Sequence, residues 1–117
     1  MLRCFIVDDS ASFLDAASSL LRREGLDVVG VALTSAGALR DVPALEPDVI
    51  LVDISLGAES GLELARELVS AGARGTVILI STRAEADFVD LIAETPAAGF
   101  VPKSDLSAAA ITRLVNA

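Results

Sequence analysis

The chain has 117 residues, 53% hydrophobic and 22% charged, with 9 basic against 17 acidic side chains and a formal net charge of −8. One domain, residues 1–117, is expected: too apolar for disorder, and too short for an added cap or second catalytic domain. The acidic excess disfavours direct nucleic-acid binding, and the lack of histidine removes Ser-His-Asp and Cys-His catalysis and His-ligated zinc.

The first predicted strand, Cys4–Val7, reaches Asp8 too soon for a signal peptide, and no apolar run approaches the length of a membrane span. Cys4 is the single cysteine, so no internal disulfide forms; it reads as a small core residue, and a cytoplasmic home with no membrane partner is expected. A helix follows from Ser10 or Ser12, with Ser12 and Asp15 in capping-box spacing and Phe13, Leu14, Ala17, Leu20 and Leu21 on one stripe before Gly25. Strand two is Val28–Ala32, and a weaker helix from Ser35 to Val42 is expected to stop before Pro43. Strand three, Val49–Val52, precedes a helix from about Ser60 to Ala71 with Leu62, Ala65, Leu68 and Val69 inward and Gly72 as its stop. Strand four, Val77–Ile80, precedes a helix at about Glu85–Glu94, with Pro96 beyond it. Strand five, Gly99–Val101, leads to a last helix capped by Ser104 or Asp105 that carries Leu106, Ala110, Ile111, Leu114 and Val115.

These runs are continuously apolar, as for parallel strands covered on both faces, so the predicted fold is a doubly wound α/β sandwich. Ligands in such sheets bind beyond the carboxyl ends of the strands. There the sequence places Asp8-Asp9-Ser10, Asp53-Ile54-Ser55, Ser81-Thr82 and Lys103-Ser104. Each aspartate alone reads as a helix cap, Ser81 and Thr82 alone as turn hydroxyls, and Lys103 alone as a solvated charge. Together they differ, because carboxylates about 4 Å apart repel by roughly 4 kcal/mol at an effective dielectric near 20. Three of them require cations. Lys103 supplies one charge, and the remainder suits Mg²⁺ with hard oxygen ligands, in a site where a carboxylate can be the nucleophile of phosphoryl transfer.

From Phe5-Ile6-Val7-Asp8-Asp9, through Val49-Ile50-Leu51-Val52-Asp53, Gly61 and Ser81, to Gly99-Phe100-Val101-Pro102-Lys103, the chain resembles a response-regulator receiver domain over nearly its whole length. The resemblance implies a flavodoxin-like, CheY-like (βα)5 fold with strand order 2-1-3-4-5. It implies that Asp53 is the phosphoacceptor, supplied by a sensor histidine kinase or acetyl phosphate. By the same carry-over, Asp9, Asp53 and the backbone carbonyl of Ser55 ligate Mg²⁺ directly, Asp8 acts mainly through water, and Lys103 pairs with the phosphoryl oxygens. Ser81 moves toward the phosphoryl group, Phe100 turns inward, and the surface of helix 4, strand 5 and helix 5 changes for an output domain or target. The chain would then be no enzyme beyond its own phosphorylation and dephosphorylation.

Gly57 stands where the family commonly has proline, which predicts a more flexible loop 57–59. Thr82 is larger than the usual small residue and would restrict access to the acyl phosphate. Gly99 to Leu106 resembles receivers of LuxR-type transcription regulators, so the chain is expected to be either a stand-alone receiver or a fragment of a two-domain regulator. Phosphorylation-linked homodimerisation is a further expectation. Three alternatives compete with this reading: a Mg²⁺-dependent phosphohydrolase of the haloacid dehalogenase type with Asp8 as nucleophile, a flavodoxin-like cofactor binder, and a receiver-like module that only binds.

Overall fold

Alternate residues of the first strand face opposite sides of the sheet, and all of them but the first are buried, so helices must cover both faces. The computed structural model, which describes residues 1–83 and 89–117, has that arrangement. Strands β1 (Arg3–Val7), β2 (Asp27–Ala32), β3 (Val49–Asp53), β4 (Thr76–Ser81) and β5 (Gly99–Pro102) form one parallel sheet in the order β2-β1-β3-β4-β5. This is the predicted doubly wound order. It leaves β2 and β5 at the edges, where Pro102 is tolerated.

Phe5, Val7, Ile50, Val52, Val77 and Leu79 look to one side and meet Ala38, Val42, Leu64, Ala65 and Leu68 of helices α2 (Ser35–Leu45) and α3 (Gly61–Ser70). Cys4, Ile6, Val49, Leu51, Ile78 and Ile80 look to the other and meet α1 (Ala11–Arg23) and α5 (Ala108–Val115) through Leu14, Ala17, Leu21 and Ile111. Burial pushes the Cys4 thiol up to about 12, as befits an inert core residue.

Several helix ends differ from expectation. Ser10 caps α1, its Oγ accepting from Phe13 N at 3.2 Å, while Ser12 lies inside the helix; the Ser12–Asp15 capping box does not form. Helix α2 runs through Pro43 to Leu45 rather than stopping before it. Pro43 removes one N–H from the final turn, yet Val42 is buried and Leu45 packs on the same apolar cluster, so tertiary packing carries the helix past it. In α3 the inward face is Gly61, Leu64, Ala65 and Leu68, and Val69 is 43% exposed because helical rotation turns it outward.

The last helix starts later than predicted. Lys103–Asp105 forms a 3₁₀ turn, Leu106 plugs the core beside it, and Ser107 is the cap, accepting from Ala110 N at 3.0 Å. Glu24, just past α1, adds a carboxylate Oε1 that accepts from Ala108 N at 2.7 Å. Helix α4 is described at Val89–Ala93; residues 84–88 of the expected Glu85–Glu94 span lie outside the described residues. Among the described residues no helix is long and apolar enough to cross a membrane.

Candidate functional site

The carboxyl ends of β1, β3, β4 and β5 meet at one cleft, and the helix caps there are supplied by serines. Ser10 caps α1 and Ser60 caps α3, so none of Asp8, Asp9 and Asp53 serves as an N-cap. The capping explanation for these acids is thereby removed. Asp8 Oδ1 instead accepts from Ser10 N at 2.9 Å, and Asp53 Oδ1 accepts from Ser55 N at 3.1 Å, two short loops that turn each side chain back over its own strand.

Asp8 is 0% exposed and Asp53 6%. Lys103 Nζ enters from the end of β5 and lies 2.6 Å from Asp8 Oδ2 and 3.0 Å from Asp53 Oδ2. The contact to Asp53 is a hydrogen bond, whereas the one to Asp8 is an ion pair of poor hydrogen-bonding direction, leaving Asp8 Oδ2 buried without a hydrogen-bond partner among the described residues. Burial raises the Asp53 carboxyl above the usual range, and the Asp8 charge adds to that, against the opposing pull of Ser55 N–H and Lys103. For Lys103 burial works to lower the ammonium's pKa, but the two carboxylates outweigh it and the net shift is upward.

Asp9 is exposed at the mouth, and one carboxylate oxygen from each of Asp8, Asp9 and Asp53 lies within 4.8 Å of the others. Three hard oxygen donors, one of them buried and held by an ion pair alone, against a single ammonium are the donor set that suits Mg²⁺. Ser55 is exposed beside them, with its N–H committed to Asp53.

Ser81, at the end of β4, is 5% exposed and its Oγ accepts from Arg83 N at 3.0 Å, while Thr82 is exposed. Phe100, on β5, is 8% exposed within the apolar cluster on the α2 and α3 side, so it already points inward.

Three residues have roles at the cleft that sequence reading did not give them. The Phe13 ring, assigned there to the core stripe, is half-buried with Lys103 Nζ 4.2 Å from its centroid. Gly61 permits the close return of the chain, because a Cβ there would collide with the Asp53 carbonyl oxygen and come within 2.7 Å of its carbon. Glu59 accepts from Ser35 N at 3.1 Å, tying the loop after Asp53 to the start of α2. That loop is a small hairpin, Ser55–Leu56 against Glu59–Ser60, turned by Gly57 at a φ of 63°. Gly57 thus supplies a positive φ that proline would forbid, and the loop expected to be loose is hydrogen-bonded.

A family model described as "Response regulator receiver domain" matches residues 4–115. The chain is 36% identical over 104 residues to the uncharacterized transcriptional regulatory protein YvfU of Bacillus subtilis (strain 168), covering 88% of this chain and 52% of that protein. It is 38% identical over 85 residues to protein-glutamate methylesterase/protein-glutamine glutaminase 5 of Myxococcus xanthus (strain DK1622), covering 72% and 24%. The chain therefore spans about half the length of the first relative and about a quarter of the second. Among solved structures, the signal receiver domain of the putative response regulator NarL from Mycobacterium tuberculosis superimposes with a TM-score of 0.83 at 29% identity, over 97% of this chain and 95% of that one. With the doubly wound order and the acidic cleft already in place, the match places the chain in the response-regulator receiver domain family of two-component systems.

Proposed function

We propose that the chain is a phosphorylation-dependent switch in which Asp53 accepts a phosphoryl group from the phosphohistidine of a sensor histidine kinase, with Mg²⁺ as cofactor. The observation that carries this reading is the buried Asp8–Asp53 pair sharing one ammonium, against which Asp9 brings a third carboxylate. An Asp53 oxygen attacks phosphorus, a new P–O bond forms, and the P–N bond of the donor breaks with its electron pair going to the imidazole nitrogen. Asp9, Asp53 and the Ser55 carbonyl would hold Mg²⁺ directly, with Asp8 acting mainly through water, and the ion would supply charge neutralisation for the transferring group.

The chain's own residues do the rest. Ser55 N–H orients the Asp53 carboxylate, and Lys103, already on Asp53 Oδ2, follows the new charge onto a phosphoryl oxygen. The Ser81 hydroxyl accepts from Arg83 N, which leaves its hydrogen to donate to the phosphoryl group. Ser81 moves toward the phosphoryl group, and Phe100, already buried in the apolar cluster, turns further inward behind it. Thr82, at the exposed rim, limits access of water to the acyl phosphate.

Phosphorylation adds roughly −1.5 to −2 of charge to the cleft and shifts a two-state equilibrium. The changed surface is that of α4, β5 and α5, where Val89 and Leu91 stand 55% and 46% exposed. It controls an output domain or target in the cytoplasm, transcription being the output suggested by the relatives, and pairs two phosphorylated copies. No observation favours the phosphohydrolase alternative: the family model that matches residues 4–115 is the receiver domain.

Intact mass after incubation with acetyl phosphate and Mg²⁺ tests the reading. One phosphoryl adduct that needs Mg²⁺ and is lost in Asp53→Asn is expected. A chain that neither gains an adduct nor binds beryllofluoride overturns it. Sedimentation of the beryllofluoride form reads the pairing.

A further inference from the structure

We propose that Phe13 is a positioning residue for Lys103: its ring face holds the ammonium against Asp8 and Asp53, where the phosphoryl charge arrives. The inference rests on Asp53 being the acceptor and names a residue that serves that step without touching the phosphoryl group.

Lys103 has a flexible four-carbon stem, and the cleft fixes its ammonium from two sides. The two carboxylates lie at 2.6 and 3.0 Å, and the Phe13 centroid lies at 4.2 Å, well inside cation–π range. The side chain is only 14% exposed, so the ring attraction acts on a largely desolvated charge, where it is stronger than at a wet surface.

Phe13 is itself fixed by the cleft. Asp8 Oδ1 accepts from Ser10 N at 2.9 Å, Ser10 Oγ accepts from Phe13 N at 3.2 Å, and the ring returns to the ammonium that pairs with Asp8 Oδ2. The contacts close on themselves, linking the first turn of α1, the acidic loop and Lys103 in one ring. The neighbouring stripe residues Leu14, Ala17 and Leu21 are buried in the core, while Phe13 is half-buried at its edge, packing on that cluster and offering its ring face to the lysine.

The test compares the full chain with Phe13→Leu, Phe13→Met and Phe13→Tyr, following acetyl phosphate phosphorylation by intact mass across donor concentration. Thermal melts establish folding, and Mg²⁺ affinity is read by NMR titration. Loss of the ring face is expected to lower the maximal rate roughly 5-fold. The half-saturating donor concentration and the Mg²⁺ affinity stay unchanged, and Tyr restores the rate to within about 2-fold of wild type. Methionine serves if the leucine variant does not fold. Rates equal in all variants overturn the proposal. So does a Tyr variant as slow as the aliphatic ones, or a fall in Mg²⁺ affinity that tracks the rate, since either marks Phe13 as packing alone. A wild type without an Asp53-dependent adduct instead overturns the acceptor reading beneath it, which the Asp53→Asn control identifies separately.

Discussion

The two ends of the same five strands treat polar groups in opposite ways. At the amino ends, Asp48 is exposed and satisfied: its Oδ2 accepts from Arg3 N at 2.8 Å and its carbonyl from Thr76 N at 2.9 Å, while Arg3 Nη1 donates to the Glu46 carbonyl at 3.1 Å. The cavity of about 540 Å³ there is lined partly by Leu39, Val42 and Leu68 and gathers no buried charge. At the carboxyl ends, Asp8 and Asp53 are buried with, among the described residues, a single ammonium between them, and Asp8 Oδ2 is held there by that ion pair alone. One end is built for stability. The other holds repulsion that the apolar layers on both faces must offset, which is the usual mark of a site poised for a ligand.

The sharpest way to break the contrast is at Gly61, where the chain folds back on Asp53. Gly61→Ala forces a Cβ into the Asp53 carbonyl and is expected to cost about 3 kcal/mol or more in urea denaturation. Removing the cation comes next. Lys103→Met leaves two buried carboxylates unpaired and should cost about 3 kcal/mol in metal-free buffer, whereas Asp8→Asn leaves a one-to-one Lys103–Asp53 pair and should change stability by less than about 1 kcal/mol, or raise it. The Asn variant is also expected to lose stabilisation by added Mg²⁺. Equal losses for the two variants would show that the end is not held under charge repulsion. The smallest effect belongs to the opposite pole, where Asp48→Ala removes one exposed acceptor and should cost about 1 kcal/mol without altering Mg²⁺ stabilisation.

The sheet was legible in the sequence because each strand is an unbroken apolar run, and Asp8, Asp9, Asp53 and Lys103 were legible because each follows such a run where a doubly wound sheet opens. Helix ends were less so. Ser10 and Ser12 both suit a cap, and the choice of Ser10 depends on Asp8 holding its N–H. Pro43 reads as a stop, yet Val42 and Leu45 are held by packing that no local pattern announces. Ser107 replaces Ser104 as the last cap because the chain first makes a 3₁₀ turn to aim Lys103 into the cleft. Phe13 was hidden by its own periodicity: a ring on an apolar stripe reads as core until the lysine, far away in sequence, is seen against it.

The order in which the cleft is supplied has a consequence for biosynthesis. Its acids come from the first and third strands, but its cation stands fifty positions after Asp53, and the helix behind that cation is anchored by a contact reaching back 84 positions to Glu24. On a growing chain the acids emerge unneutralised, and burying them before Lys103 appears is opposed by their mutual repulsion. Closure of the sheet in metal-free buffer is thereby expected to wait for its last strand, so a chain truncated before Gly99 should not protect the amides of β1 and β3 from hydrogen exchange.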